Sequence, residues 1–224
     1  MSKDKLYIFD TTLRDGAQTQ GVDFSIDDKL KITESLDNLG VDYIEGGWPG
    51  ANPTDTEFFH KKINCKNSIL TAFGMTKKTG RSADNDPGLS ALLNSNTKAI
   101  CIVGKSWDFH VDVALGISNE ENLENISEST KLFVKEKKEF MFDAEHFFDG
   151  FKNNPKYSLE SIKRAYDSGA SWIVLCDTNG GTLPYEVKNI IENVKEVVPE
   201  ENLGVHFHND TDNSTYNSLE SVRN

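Results

Sequence analysis

Short apolar runs recur along the chain, and between them the apolar residues are spaced as in amphipathic helices. The runs are rich in β-branched and aromatic residues, which is typical of buried strands. We therefore predict seven strands separated by helices. The first starts at Tyr7, and the others cover residues 43–47, 68–73, 99–103, 140–142, 172–176 and 203–207.

The stretches between the runs carry helix start and stop signals. Ser25 is a predicted N-cap, and Gly40 is a predicted stop for the first helix. The apolar stripe of that helix is Ile26, Leu30, Leu36 and Leu39. Pro87 and Pro184 lie where a first helical turn is expected. The stripe after Pro184 is Val187, Ile190, Ile191, Val194 and Val198.

This alternation predicts an α/β protein with a parallel sheet. Polar residues gather just after the strands, as they do at the carboxyl-terminal face of a (β/α)8 TIM barrel. An open doubly wound sheet is the competing architecture. We favour the barrel because no Gly-x-Gly-x-x-Gly follows the first strand and because candidate site residues follow five different strands.

The sequence ends at Asn224, just past the seventh strand and the helix that follows it. A seven-stranded parallel barrel would leave two unpaired edges, which favour association. We therefore expect residues 1–224 to be one catalytic barrel domain, truncated after about strand 7 and helix 7. The downstream linker and regulatory domains would be absent.

Composition excludes several classes of protein. Hydrophobic residues make up 37% of the chain and charged residues 27%, as in ordinary globular proteins. No apolar run reaches the roughly 20 residues of a membrane helix, and no apolar segment near Met1 marks the chain for export, so we predict a cytoplasmic protein. The net charge of −12 argues against nucleic acid as a partner. Cys65, Cys101 and Cys176 are interpreted as buried free thiols.

The first candidate site follows the first strand, where the apolar run gives way to Arg14, Asp15 and Gly16. An arginine beside an acid places a permanent cation next to an oxygen ligand for a hard metal. Alone, such a dipeptide is more often a pair of solvated surface charges. A second polar group elsewhere in the chain makes a site here more plausible.

That second group is His206 and His208, at the end of the seventh run. Residues two apart in a strand share a face, so both imidazoles point the same way while Phe207 points opposite. A pair of ordinary hydrogen-bonded histidines is the alternative. With Asp15 available, we predict that the three side chains meet around one divalent cation.

Residues 10–18 together with residues 206–210 resemble the signature of the DRE-TIM metallolyases. This family contains the isopropylmalate, homocitrate and citramalate synthases and hydroxymethylglutaryl-CoA lyase. Three further stretches, residues 44–55, 104–108 and 143–150, are most similar to the long-form citramalate synthases. The resemblance spans nearly the whole chain.

The resemblance implies a role for each candidate residue. Asp15, His206 and His208 would hold Mg, Mn or Zn, with an asparagine from the eighth-strand region that this chain lacks. Arg14 would stabilise the developing oxyanion, and Glu145 would organise Arg14 and the substrate. Thr178 would hold the carboxylate of a 2-keto acid. The remaining candidates are Gln18 and Glu45 lining the pocket, Asn209 and Asp210 orienting the histidines, and Lys77, Lys78 and Arg81 binding the CoA phosphates.

The implied reaction is a metal-dependent Claisen-type condensation of acetyl-CoA with pyruvate, giving (R)-citramalate and CoA for branched-chain amino acid biosynthesis. Two alternatives keep the scaffold: a larger 2-keto acid, as in 2-isopropylmalate or homocitrate synthase, or carbon–carbon cleavage as in the lyases. A third is an inactive barrel fragment. In the family a downstream segment reaches the partner's site in a homodimer, so we expect residues 1–224 alone to have little activity.

Overall fold

The computed structural model describes residues 5–224. Its seven strands form one sheet in chain order, and the pairings β1–β2, β2–β3, β5–β6 and β6–β7 are parallel. The strands are β1 Phe9–Asp10, β2 Tyr43–Glu45, β3 Ile69–Met75, β4 Ala99–Lys105, β5 Glu139–Glu145, β6 Trp172–Asp177 and β7 Leu203–Phe207.

Helices separate the strands throughout. The α-helices are α1 Ile26–Leu39, α2 Pro53–His60, α3 Pro87–Leu93, α4 Asp108–His110, α5 Asn119–Lys135, α6 Phe147–Asn153, α7 Pro155–Asp167, α8 Pro184–Val194 and α9 Ser214–Arg223. Short 3-10 turns cover Gly16–Gln18, Ala83–Asn85 and Glu200–Asn202, and a π-helical segment covers Val111–Leu115.

The predicted fold class is confirmed: the chain runs through seven parallel strands and intervening helices in the order of a (β/α)8 barrel. Among residues 5–224 no eighth strand follows β7. The first strand is shorter than its apolar run predicts. Only Phe9 and Asp10 pair with β2, while Tyr7 and Ile8 are exposed.

The described residues form two compact units. The N-terminal unit comprises residues 5–75 and 84–101, and the C-terminal unit comprises residues 76–83 and 102–224. That residues 1–224 constitute one catalytic domain stays a prediction.

Helix α1 of the N-terminal unit begins as predicted but buries a different face. Ser25 accepts a hydrogen bond from the backbone N–H of Asp28, whose carboxylate accepts one from Ser25 in return, which completes a capping box. The predicted apolar stripe is wrong at Leu39, which is 76% exposed. The buried positions are instead Lys29, Thr33 and Asp37.

Two of these buried polar residues, Lys29 and Asp37, have partners elsewhere in the N-terminal unit, and Thr33 donates to the Lys29 carbonyl within the helix. The ammonium group of Lys29 donates to the Gly46 carbonyl and pairs with the buried carboxylate of Asp55. Asp37 accepts backbone hydrogen bonds from the loop before β3, at Lys66, Asn67 and Ser68. The polar face of α1 therefore anchors the loops around β2 and β3, because buried charges are tolerated where they are paired.

The C-terminal unit follows its sequence pattern closely. A capping box of Ser118 and Glu121 starts α5. Phe133 of that helix stacks on Phe140 of β5, with 5.7 Å between the ring centroids. The predicted stripe of α8 is confirmed: Val187, Ile190, Ile191 and Val194 are each at most 4% exposed, and Val198 is buried beyond the helix.

All three cysteines are free thiols, as predicted. Cys101 and Cys176 are buried, but Cys65 is half-buried, because it lies in the surface loop between α2 and β3 rather than in a strand. Among residues 5–224, no helix combines the length and apolar character needed to cross a membrane.

Candidate active site

Arg14 is fixed by three groups of the N-terminal unit. Its Nε donates to Glu45 Oε2 at 2.6 Å, and its Nη1 donates to Asp15 Oδ1 at 3.0 Å. The guanidinium carbon lies 3.9 Å from the centroid of the Phe73 ring. Two charge-assisted hydrogen bonds and a cation–π contact hold the guanidinium in one orientation before any substrate binds.

Within the N-terminal unit, the acid that holds Arg14 is Glu45, at the end of β2. Glu45 is completely buried. Glu145, at the end of β5, pairs with the ammonium group of Lys105 at the end of β4. A role for Glu145 in organising Arg14 and the substrate stays a prediction.

Gln18 ends the 3-10 turn that follows Asp15 and is exposed. The turn brings the backbone N–H groups of Arg14, Asp15 and Gly16 onto the carbonyl of Thr11. A role for Gln18 in the substrate pocket stays a prediction.

The histidine pair lies at the end of β7 in the C-terminal unit. The rings of His206 and His208 are nearly parallel, at 16°, with centroids 5.0 Å apart, so the two share a face as the strand spacing predicts. Phe207 points the other way and packs on Phe148, with 4.9 Å between the ring centroids. Two half-buried imidazoles side by side form a donor set that suits a divalent cation.

The Asp15 carboxylate would add an oxygen donor to the two imidazoles, which fits the borderline-hard cations Mn²⁺ and Zn²⁺ and accommodates Mg²⁺. Asp15 is 21% exposed at its side chain, so its carboxylate remains accessible beside Arg14. Joint ligation by Asp15, His206 and His208 stays a prediction.

Thr178, just after β6, is positioned by the backbone of His146. The His146 N–H donates to Thr178 Oγ1 at 2.9 Å. His146 adopts left-handed backbone angles, φ 54° and ψ 32°, which are uncommon for a residue other than glycine. Strained backbone of this kind often accompanies functional sites. His146 is not among the site residues predicted from the sequence, although it lies within residues 143–150, one of the stretches that resemble the citramalate synthases.

An aromatic cluster surrounds His146 in the C-terminal unit. Its ring meets that of His110 edge to face, with centroids 4.3 Å apart, and Trp107 packs 4.7 Å from His110. Burial lowers the pKa of His110, and the neighbouring His146 and Lys105 lower it further. His110 is therefore mostly neutral at neutral pH.

The role of Asn209 and Asp210 in orienting the histidines stays a prediction, and the structure shows other contacts for Asn209. Its Oδ1 accepts hydrogen bonds from the backbone and hydroxyl of Ser214, and its Nδ2 donates to Asp212. Asn209 therefore holds the start of α9. The exposed Asp210 places a carboxylate oxygen beside Gly180.

One member of the predicted basic patch after β3 is buried. Lys77 is buried, donates from Nζ to the carbonyl of Arg81 and lies 3.1 Å from a Glu128 carboxylate oxygen. Its ammonium group is thus engaged by its own loop and by α5. A role for Lys77 in binding the CoA phosphates stays a prediction. Lys78 and Arg81 are exposed, and their role in CoA binding stays a prediction.

Comparison with known proteins places these residues in context. The HMGL-like family model matches residues 5–224. The (R)-citramalate synthase of Aquifex aeolicus (strain VF5) is 50% identical over 221 residues, which cover 98% of this chain and 42% of that protein. The (R)-citramalate synthase of Geobacter sulfurreducens is 46% identical over 224 residues, with 99% of this chain and 42% of that protein covered.

The fold is shared with a solved structure. The crystal structure of hydroxymethylglutaryl-CoA lyase from Pseudomonas aeruginosa superposes with a TM-score of 0.81 at 21% identity, covering 97% of this chain and 73% of the lyase chain. This likeness shows the fold alone. The chain spans less than half the length of these two citramalate synthases.

Proposed function

Because the chain belongs to the HMGL-like family, we propose that it is the catalytic part of an enzyme that condenses acetyl-CoA with a 2-keto acid. The keto acid we propose is pyruvate, and the products are (R)-citramalate and CoA. The observation that carries this proposal is the 50% identity to a protein named (R)-citramalate synthase over 98% of the chain.

We assign a divalent cation to Asp15, His206 and His208. One carboxylate and two neutral imidazoles leave a net positive site with open positions for the ketone and carboxylate oxygens of a keto acid. When bound, the cation polarises the ketone carbonyl. The nearly parallel histidine rings support this assignment, because both imidazoles are already turned to one face.

Arg14 would stabilise the negative charge that develops on the former ketone oxygen when the carbon–carbon bond forms. Preorganised cations and donors at such a position are among the largest contributions to catalysis. The supporting observation is the fixed guanidinium, which Glu45 and Asp15 hold on two sides. No reorganisation of Arg14 is then needed during the reaction.

Thr178 would bind the carboxylate of the keto acid. Its Oγ1 accepts the His146 N–H, and no acceptor for its own hydroxyl proton is present among the described residues. The hydroxyl therefore remains available to donate to a substrate oxygen. The Glu145–Lys105 pair, at the ends of neighbouring strands β5 and β4, would organise the other side of the substrate.

The whole enzyme is proposed to act as a homodimer. Exposed Lys78 and Arg81 would meet the CoA phosphates. Since the chain spans 42% of the length of each of the two relatives, residues 1–224 alone are proposed to turn over slowly.

A thiol-release assay tests the proposed reaction. The longest available form of the protein is incubated with acetyl-CoA and either pyruvate, 2-ketoisovalerate or 2-ketoglutarate, with and without chelator, and free CoA is titrated. We expect release with pyruvate to exceed release with either longer keto acid and to stop with chelator. Arg14→Lys keeps the positive charge but loses the planar guanidinium with its paired N–H donors, so it is expected to lower the rate of CoA release. Faster release with a longer keto acid, or release that chelator leaves unchanged, would overturn the assignment.

A further inference from the structure

A second group of potential metal ligands lies entirely within the C-terminal unit. Asp143, Cys176 and His206 each offer one ligand atom, and these atoms lie within 4.8 Å of one another. Only His206 belongs to the proposed catalytic cation site. The group combines a carboxylate oxygen, a thiol sulfur and an imidazole nitrogen, so it differs in chemistry from that site.

The register of the sheet places the three side chains on one face. Cys176 of β6 is paired directly with His206 of β7, so their side chains lie side by side. Asp143 of β5 is paired with Val174, two residues before Cys176. Side chains two residues apart in a strand share a face, so Asp143 and Cys176 point the same way. Three adjacent strands therefore supply the three ligand atoms.

The group is not a cluster of solvated surface acids. Asp143 is 4% exposed and Cys176 is 6% exposed, while His206 is half-buried. The carboxylate and the thiol thus lie inside the C-terminal unit, and half-buried His206 gives an ion a route from solvent.

We propose that Asp143, Cys176 and His206 bind a thiophilic divalent cation such as Zn²⁺. Sulfur and nitrogen donors select Zn²⁺ and Co²⁺ over Mg²⁺, which prefers oxygen alone. Zinc bonds of about 2.0–2.3 Å at tetrahedral angles separate ligand atoms by roughly 3.3–3.8 Å, so small side-chain rotations close this site. Three protein ligands leave a fourth position for water.

This site shares His206 with the proposed catalytic site. Because both sites would use the His206 imidazole, an ion held with Cys176 and Asp143 would compete with the catalytic cation for that ligand. Zn²⁺ would then inhibit the condensation while Mg²⁺ or Mn²⁺ supports it. The inhibition rests on the proposed function, but binding of the thiophilic ion rests on the C-terminal unit alone.

Cobalt is the probe for binding, because a Co²⁺–thiolate bond produces a sulfur-to-metal charge-transfer absorption. The metal-free protein is titrated with Co²⁺ as wild type and as the variants Cys176→Ser, His206→Ala, His208→Ala and Cys65→Ser. We expect one equivalent to produce the band in wild type, His208→Ala and Cys65→Ser. Cys176→Ser should lose the band, and His206→Ala should weaken Co²⁺ binding at least about tenfold.

A band that persists in Cys176→Ser, that disappears in Cys65→Ser, or that never forms in wild type would overturn the proposal. A second measurement on wild type needs no folded variant: Zn²⁺ should protect Cys176, but not Cys65, from alkylation as read by peptide mapping. Equal alkylation of Cys176 with and without Zn²⁺ would equally contradict the site.

The His208→Ala variant separates this proposal from the proposed function. It removes a ligand of the catalytic cation only, so it should lose thiol release while keeping the cobalt band. If the longest available form shows the cobalt band but releases no thiol when it is loaded with Mg²⁺ or Mn²⁺, the proposed reaction is wrong and the thiophilic site stands.

Discussion

Glu45 Oε2 accepts a 2.6 Å hydrogen bond from Arg14 Nε, and the acceptor side chain is completely buried. The guanidinium of Arg14 is thus held by a carboxylate that solvent does not reach. The proposed role of Arg14 in catalysis depends on this anchor, because a preorganised cation stabilises a developing charge more than a mobile one does.

We predict that Glu45→Gln keeps the fold but lowers kcat/KM about tenfold, since an amide oxygen still accepts from Arg14 without the negative charge. Glu45→Ala should lower it about 10²-fold, because the guanidinium loses its position. Steady-state kinetics of thiol release measure both. The control is Glu57→Gln, which alters the exposed Lys61–Glu57 pair. Wild-type kinetics in Glu45→Ala would refute the anchoring role.

A second prediction concerns the buried pair of Lys29 and Asp55. Lys29→Met should destabilise the chain by about 3–5 kcal/mol, because it leaves the Asp55 carboxylate buried without its cation. Lys61→Met, at an exposed pair, should cost less than about 1 kcal/mol. Urea unfolding followed by circular dichroism compares the two. Equal midpoints for the two variants would show that the Lys29 pair contributes no more than a surface pair.

The third prediction is a dependence of stability on pH. The backbone N–H of Lys66, with those of Asn67 and Ser68, holds the pKa of Asp37 below its usual value. A group whose pKa is lower in the folded state adds stability above its unfolded pKa of about 3.9 and loses it as pH falls through the folded pKa. The contribution of Asp37 should therefore be complete at neutral pH and shrink in acid.

The urea concentration at the midpoint of unfolding, measured at pH 7 and at about pH 3, gives this contribution. The lower pH lies below the pKa of Asp in the unfolded chain. Asp37→Asn should be less stable than wild type at pH 7, and the difference should narrow at the lower pH. The control is Glu124→Gln, at an exposed position, and its urea midpoints should match those of wild type at both pH values. A difference between Asp37→Asn and wild type that stays constant across this range would contradict the cause we assign.

The fourth prediction concerns the backbone of His146. His146→Gly keeps the N–H and tolerates the left-handed angles, so Thr178 should stay in place. His146→Val disfavours those angles and should raise the KM for the keto acid about tenfold while leaving the KM for acetyl-CoA unchanged. If His146→Gly and His146→Val change the KM for the keto acid equally, the imidazole of His146, rather than its backbone conformation, determines keto-acid binding.

The sequence pattern predicted the elements with local signals. The period-2 spacing of His206 and His208 and the stripe of α8 both depend on neighbours within one element, and both were correct. The hydrophobic periodicity does not predict the buried face of α1, because Lys29 is buried in an ion pair with Asp55, which lies 26 residues further along the chain. The anchoring of Arg14 by Glu45 is not visible in the sequence either, because the two residues are 31 positions apart and only a tertiary contact joins them.

The most direct test of the account is Mn²⁺ binding to metal-free protein, measured by isothermal titration calorimetry. Wild type should bind one Mn²⁺, and Asp15→Asn and His208→Ala should each weaken binding at least about tenfold. Asp10→Asn, at a nearby acid whose carboxylate bonds Thr12, should bind as wild type does. Unchanged Mn²⁺ affinity in Asp15→Asn would show that this carboxylate and the histidine pair do not share a cation.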